Sequence, residues 1–270
     1  MTKKKKKKEI FRILCQFDDY CKAREIQYSL AYGTLIGAVR HQGFIPWDDD
    51  IDVILATNDY SKLKELAYDE PYLDSSHRYK IMIPGDQNYY YSFIKIVDTH
   101  YRVKERNVDS KYFIGLYVDV FRADYWPESK VREFWQLKYA RFLLKLNEIS
   151  IRGNIVDEKF KVIDKLLIPI DLIFKVFGVT SENISRRLEK QGLRNKKSRF
   201  MGNIMSGSGR TSEKLDTMVF SEYIQLPFEG RMFPCHKFYD SELTSIYGDY
   251  MKLPDPEKRV SHHNYEVEIV

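Results

Sequence analysis

Four aspartates fall within five positions: Asp48, Asp49, Asp50 and Asp52. Read as a strand, this stretch points alternate side chains to one face. Asp48, Asp50 and Asp52 then line up, while Ile51, Val53 and Leu55 turn into a core. Carboxylates at i and i+2 stand roughly 6–7 Å apart at their backbones, so two can converge on one cation. Such a row is costly by itself, because each carboxylate raises the pKa of its neighbours. A hard divalent cation removes the cost, and all-oxygen ligation selects Mg2+ or Mn2+ over zinc. The competing reading is a solvated acidic turn. A further aspartate, Asp119, sits between Val118 and Val120 in the run Leu116–Phe121. A carboxylate inside an apolar strand is expensive unless paired or metal-bound. We expect it to be another active-site carboxylate; the alternative is a strand-end cap on a neighbouring turn.

The residues ahead of the aspartates suit an anion. Gln27–Tyr32 reads as a short strand, Gly33-Thr34 breaks it, and Thr34–Arg40 reads as one or two helical turns. A glycine lets phosphate approach the backbone, and a helix N-terminus presents free N–H groups. Alone, a Gly-Thr pair is usually just a turn.

Taken whole, Gly33-Thr34-Leu35-Ile36-Gly37-Ala38-Val39-Arg40-His41-Gln42-Gly43-Phe44-Ile45-Pro46-Trp47-Asp48-Asp49-Asp50-Ile51-Asp52-Val53 closely resembles the LicD family of phosphocholine transferases. Fukutin-type glycan phosphotransferases are more distant relatives. Lys95–Thr99, Gly115–Phe121 and Tyr247–Met251 also look like the family, and the resemblance spans roughly residues 10–265. It implies a nucleotidyltransferase-like α+β fold, a mixed sheet flanked by helices with a helical C-terminal extension. It also implies transfer of phosphocholine from CDP-choline to a sugar hydroxyl, with release of CMP. On that expectation Asp48, Asp50, Asp52 and Asp119 hold Mg2+ (or Mn2+), and Asp119 is either a ligand or the base for the acceptor. Gly33 and Thr34 contact phosphate, and Arg40 and Lys95 clamp it. Choline offers no hydrogen-bond donors and needs aromatic faces, for which Trp47, Tyr32 and Tyr89-Tyr90-Tyr91 are candidates. His262 is a candidate contact to donor or acceptor. The plainer reading of Lys95 is a solvent-facing residue on an edge strand, and that of each aromatic is packing.

Composition narrows the classes. The net charge of +5 is misleading, because Lys3–Lys8 alone contribute six charges and the remainder is about neutral. That is not the spread basic groove of a nucleic-acid binder. A terminal lysine run reads as a solvated tail, or as attraction to anionic lipid. Three cysteines without Cys-x-x-Cys spacing indicate a reducing compartment and no structural zinc. We expect no signal peptide and no transmembrane helix, hence a cytoplasmic protein at the inner face of the plasma membrane. The acceptor would be a lipid-linked precursor of teichoic acid or lipopolysaccharide. Other readings keep the site with ethanolamine, glycerol or ribitol phosphate, or with RNA, or make the chain a silent scaffold.

The elements that must position these residues follow from periodicity. Glu9–Lys22 carries Ile10, Ile13, Leu14, Phe17 and Cys21 at helical spacing. Asn58 is a candidate cap for a helix over Asp59–Ala67. Arg78–Ile83 and Tyr89–Val97 read as a hairpin, and 102–111 as a loop. We divide the chain into a basic tail (1–8), a catalytic core (9–126) and a mainly helical part (127–270). Within the last, 158–179 is the most apolar stretch, a buried helix pair or an interfacial helix. Gln225–Phe233 reads as a hairpin with Glu229-Gly230 at its tip, and Tyr239–Tyr247 as a helix ended by Gly248.

Overall fold

Two parallel strands, β2 (Asp52–Ala56) and β5 (Ile114–Tyr125), lie inside the main sheet and carry two of the expected carboxylates. The computed structural model describes all residues except 106–107, 153–178, 196, 205–210 and 261–264. The expectations for His262 and for nearly all of 158–179 therefore lie outside the described residues.

The sheet runs β1-β2-β5-β4-β10, with β1 at Ser29–Leu30, β4 at Ile94–Glu105 and β10 at Tyr265–Ile269. β3 (Tyr79–Met82) pairs with the first part of β4, as the expected hairpin requires. β6 (Phe200–Gly202) pairs with the end of β5, and β7 (Leu215–Asp216) with β6. The β2–β5 pair is parallel and its neighbours are antiparallel, so the sheet is mixed. The chain is an α+β protein. β2 alternates between two cores: Val53 and Leu55 face the larger one with Ile51, and Ile54 faces a second with Ala123 and Met201.

Six α-helices flank the sheet among the described residues: α1 (Lys3–Ala23), α2 (Tyr32–His41), α3 (Thr57–Asp69), α4 (Lys130–Ser150), α5 (Ser181–Gly192) and α6 (Tyr239–Tyr247). α1 buries Ile10, Ile13, Leu14, Phe17 and Cys21, the stripe its spacing foretold. β8 (Tyr223–Phe228) and β9 (Arg231–His236) form a hairpin. Glu229 and Gly230 both take positive φ, 50° and 81°, as a two-residue turn matched to strand twist demands.

Several expectations need correction. Lys3–Lys8 is not a tail but the first turns of α1, with Lys3, Lys4, Lys5 and Lys8 exposed, opened by Thr2, whose Oγ1 accepts from the Lys5 N–H at 3.3 Å. Lys6 is buried because its ammonium meets Asp49 at 2.6 Å and lies 3.9 Å from the Tyr265 ring centroid. A partner 43 residues away thus overrides the local charge pattern. Residues 102–105 are strand rather than loop, because β10 pairs with them. That pairing adds β10, from the region after 126, to the main sheet. Asn58 lies inside α3 and does not cap it.

Candidate active site

Three neighbouring strands set Asp52, Asp119 and Lys95 in a row. Asp52 on β2 is the register partner of Asp119 on β5, and Asp119 that of Lys95 on β4. Strands sit about 4.8 Å apart, so these side chains are immediate neighbours. Lys95 is not on an edge: β3 and β5 pair with β4 on either side of it. It is fully buried, donates to Asp119 Oδ1, and lies 3.4 Å from the Tyr117 ring centroid and 4.0 Å from that of Tyr91.

Asp48 and Asp50 reach the site differently from the expected strand alternation. Ladder pairing with β5 begins only at Asp52, so residues 48–51 are a loop and strand parity does not align the three. What anchors the loop is Ile51, whose side chain is buried and whose carbonyl accepts from the Asp119 N–H at 2.9 Å. On the other side Lys6 holds Asp49, and the Lys7 ammonium donates to the carbonyls of Ile45 and Pro46 at 3.0 and 3.2 Å.

Asp48, Asp50 and Asp52 nevertheless face one cavity of about 410 Å3. α2 supplies one wall through Tyr32, Gly33, Ile36 and Arg40. The loop supplies Ile45 and Trp47, and the segment 247–258 supplies the third wall, with Tyr247, Asp249, Tyr250, Lys252 and Lys258. Gly33 is needed for close approach, since a Cβ there would stand 2.6 Å from Asp48 Oδ2. Tyr32, with φ 47°, holds a left-handed backbone where α2 begins. Such conformations cost energy outside glycine and cluster at functional sites.

The structure brings Asp48, Asp50, Asp52, Gly33, Arg40 and Trp47 to this cavity, with Asp119 beside Asp52. Thr34 is placed otherwise. It is buried, and its Oγ1 accepts from the Asp52 N–H at 2.9 Å, so it positions a carboxylate instead of lining the cavity. Lys95 likewise reaches Asp119 rather than the cavity wall. Arg40 also tethers the third wall, because its Nη1 donates to the carbonyls of Tyr250 and Lys252 at 2.5 and 3.4 Å. Tyr89, Tyr90 and Tyr91 do not line the cavity; the first two are buried and the third lies beneath Lys95, so they pack the core. Sequence reasoning missed Lys6, Asp49 and Tyr247 as neighbours of the site.

Charge is poorly balanced here. Desolvation, then the charge of Asp50 and a hydrogen bond with it, push the Asp48 carboxyl up to about 8. Asp52 is raised well above the usual carboxylate range by desolvation first, then by Asp50, Asp119 and Asp48, with Lys95 opposing. Asp48, Asp49 and Asp50 each offer a carboxylate oxygen, all within 4.8 Å of one another. That grouping contains Asp49 in place of the expected Asp52 and Asp119, although Asp49 also serves Lys6. An all-carboxylate donor set with excess negative charge fits a hard divalent cation.

The fold and this site define a class, an α+β protein with a nucleotidyltransferase domain: residues 25–146 match the family described as LicD/FKTN/FKRP, nucleotidyltransferase domain. Over 263 residues the chain is 30% identical to the lipopolysaccharide cholinephosphotransferase LicD of Haemophilus influenzae, covering 96% of this chain and 94% of that one. Shorter stretches resemble uncharacterized proteins of Rickettsia prowazekii (36% over 62 residues, 23% of each chain) and Rickettsia typhi (41% over 49 residues, 18% of this chain and 16% of that one). The chain belongs to the LicD family. Among the described residues no helix is long and apolar enough to cross a membrane.

Proposed function

We propose that the protein transfers phosphocholine from CDP-choline to a sugar hydroxyl of a cell-surface glycan precursor, a teichoic acid or lipopolysaccharide intermediate at the cytoplasmic membrane face, and releases CMP. One observation carries the reading: in a chain related over nearly its whole length to a cholinephosphotransferase, the clustered carboxylates of Asp48, Asp50 and Asp52 share one cavity with Arg40 and aromatic rings. Phosphoryl transfer needs positioning and charge neutralisation more than covalent catalysis. Asp48, Asp50 and Asp52 would hold Mg2+ (or Mn2+), with Asp49 and Asp119 adjacent. When bound, the metal supplies positive charge against the donor's diphosphate.

The chain's own residues do the rest. Arg40 offers a guanidinium to the phosphates from the α2 wall. Trp47, Tyr32 and Tyr247 offer ring faces to the trimethylammonium group, each contributing about 0.5–2 kcal/mol. Lys95 donates to Asp119 and holds it beside Asp52, where its carboxylate would receive the acceptor's proton. The acceptor oxygen bonds to the choline-bearing phosphorus as the bond from that phosphorus to the bridging oxygen breaks, and CMP leaves.

The test supplies purified protein with Mg2+, a panel of CDP-alcohols and candidate glycan acceptors, and follows CMP release. Consumption of CDP-choline in preference to the ethanolamine, glycerol and ribitol analogues supports the reading. Preference for another CDP-alcohol replaces the donor. Absence of both turnover and donor binding removes the enzyme assignment.

A further inference from the structure

α4 has two unlike faces. Ala140 and Leu143 pack against Ile184 and Leu188 of α5, and the Gln136 and Asn147 amides donate to the Gln191 and Tyr90 carbonyls. On the far side Val131, Phe134, Trp135, Tyr139 and Phe142 are exposed, from 40% for Tyr139 to 69% for Val131. At 3.6 residues per turn the five fall within an arc of about 140°. Scattered exposed apolar residues are ordinary, but a contiguous aromatic stripe marks an interaction surface.

The stripe is edged and interrupted by cations. Arg132 flanks it on one side and Arg141 on the other, and the exposed Lys138 and Lys145 lie within the arc. The two acidic residues of α4 sit off the arc and are paired, Glu133 with Lys214 at 2.6 Å and Glu148 with Lys145 at 2.7 Å. Beside the stripe lies a second cavity of about 600 Å3, lined by Arg132, Trp135, Tyr139 and, from beyond α5, Arg194. Its amides are committed internally: Gln136 donates to Gln191 O, Asn195 to Tyr125 O and Gln136 Oε1, and Gln191 Oε1 accepts from Arg194 Nη1 at 2.9 Å. Its charged groups are the two guanidiniums.

We propose that α4 lies on an anionic lipid bilayer. The aromatic stripe enters the boundary between headgroups and acyl chains, and the Arg132–Arg194 cavity takes a lipid phosphate. Aromatic rings beside arginines and lysines are the composition of a helix at a membrane interface. Charge complementarity separates this occupant from a second copy of the chain, which would bring the same cationic borders face to face. The contact is independent of the donor chemistry proposed above.

The full chain, without donor, is sedimented with vesicles of phosphatidylcholine alone or mixed equally with phosphatidylglycerol. We expect binding to the mixed vesicles, weakened by salt, and little to the neutral ones. Combined Phe134→Ser, Trp135→Ser and Phe142→Ser should weaken binding at least about tenfold with unchanged circular dichroism. Arg132→Glu and Arg194→Glu should each weaken it about fivefold or more. CMP release in lipid-free assays should match the parent for all of these variants, so failure of the lipid contact and failure of the donor are separately visible. No vesicle binding, equal binding to neutral vesicles, or full binding by the triple variant overturns the proposal. So does a parent dimer that the triple variant splits, or a Trp135 fluorescence already shielded from aqueous quencher without vesicles.

Discussion

Two groups of buried charge differ in one respect. Around Arg122 on β5, the guanidinium pairs with Asp124 and donates to the Glu189 carbonyl at 2.8 Å, while Lys64 pairs with the Glu189 carboxylate. Two cations meet two carboxylates, and α3, β5 and α5 are tied together. Burial still edges Asp124 upward, but Arg122 opposes it. At the cavity, Lys6 pairs with Asp49 and Lys95 with Asp119, while burial and the nearness of other carboxylates raise both Asp48 and Asp52. The same residue types at similar depth offset one another in one place and crowd like charges together in the other. Balanced charge joins elements; surplus charge is a demand that something outside the chain must meet.

The contrast can be broken, most forcefully at Asp52. Asp52→Asn should reduce CMP release to background while the melting temperature in chelator stays level or rises, because a repelled charge is removed. A large destabilisation would instead make Asp52 structural. Arg122→Met should do the reverse, costing about 3–5 kcal/mol of stability by chemical denaturation, since it strands carboxylates in the interior. A cost below about 1 kcal/mol would end the claim that this group is a structural tie.

A smaller effect concerns pH. Asp48 and Asp52 have folded pKa values above their unfolded ones, so the folded chain binds more protons and loses stability as pH rises. In chelator the melting temperature should fall between about pH 4 and about pH 8. Mg2+ should restore it at the upper end, and Asp48→Asn should flatten the fall. An identical slope in Asp48→Asn would locate the titration elsewhere. Least disruptive is Gly33→Ala, whose methyl would displace the Asp48 carboxylate. We expect turnover down about tenfold with the melting temperature nearly unchanged; full activity would show that Asp48 need not sit there.

The site's chemistry was legible because it lies in one short stretch: the aspartates, Gly33 and Arg40 are within 20 residues of one another. β5 was legible because Asp119 interrupts an apolar run with strand parity. What escaped depends on distant partners. A lysine amid a run of six looks solvated until Asp49 is placed beside it. Lys95 looks like surface until strands are seen on both sides of β4. The loop carrying Asp48 and Asp50 reads as strand, since alternation cannot reveal that no neighbour pairs there. Tyr247–Met251 resembles the family, yet nothing local in it shows that it closes the cavity from the far end of the chain.

Arg40 and the Tyr250 carbonyl it tethers are 210 residues apart in the chain. During synthesis the acidic loop emerges long before the segment that completes its enclosure. A nascent chain therefore displays its carboxylates before residues 247–258 can close the cavity around them. Truncation just upstream of Tyr247 would remove both this wall and β10, the strand that borders β4.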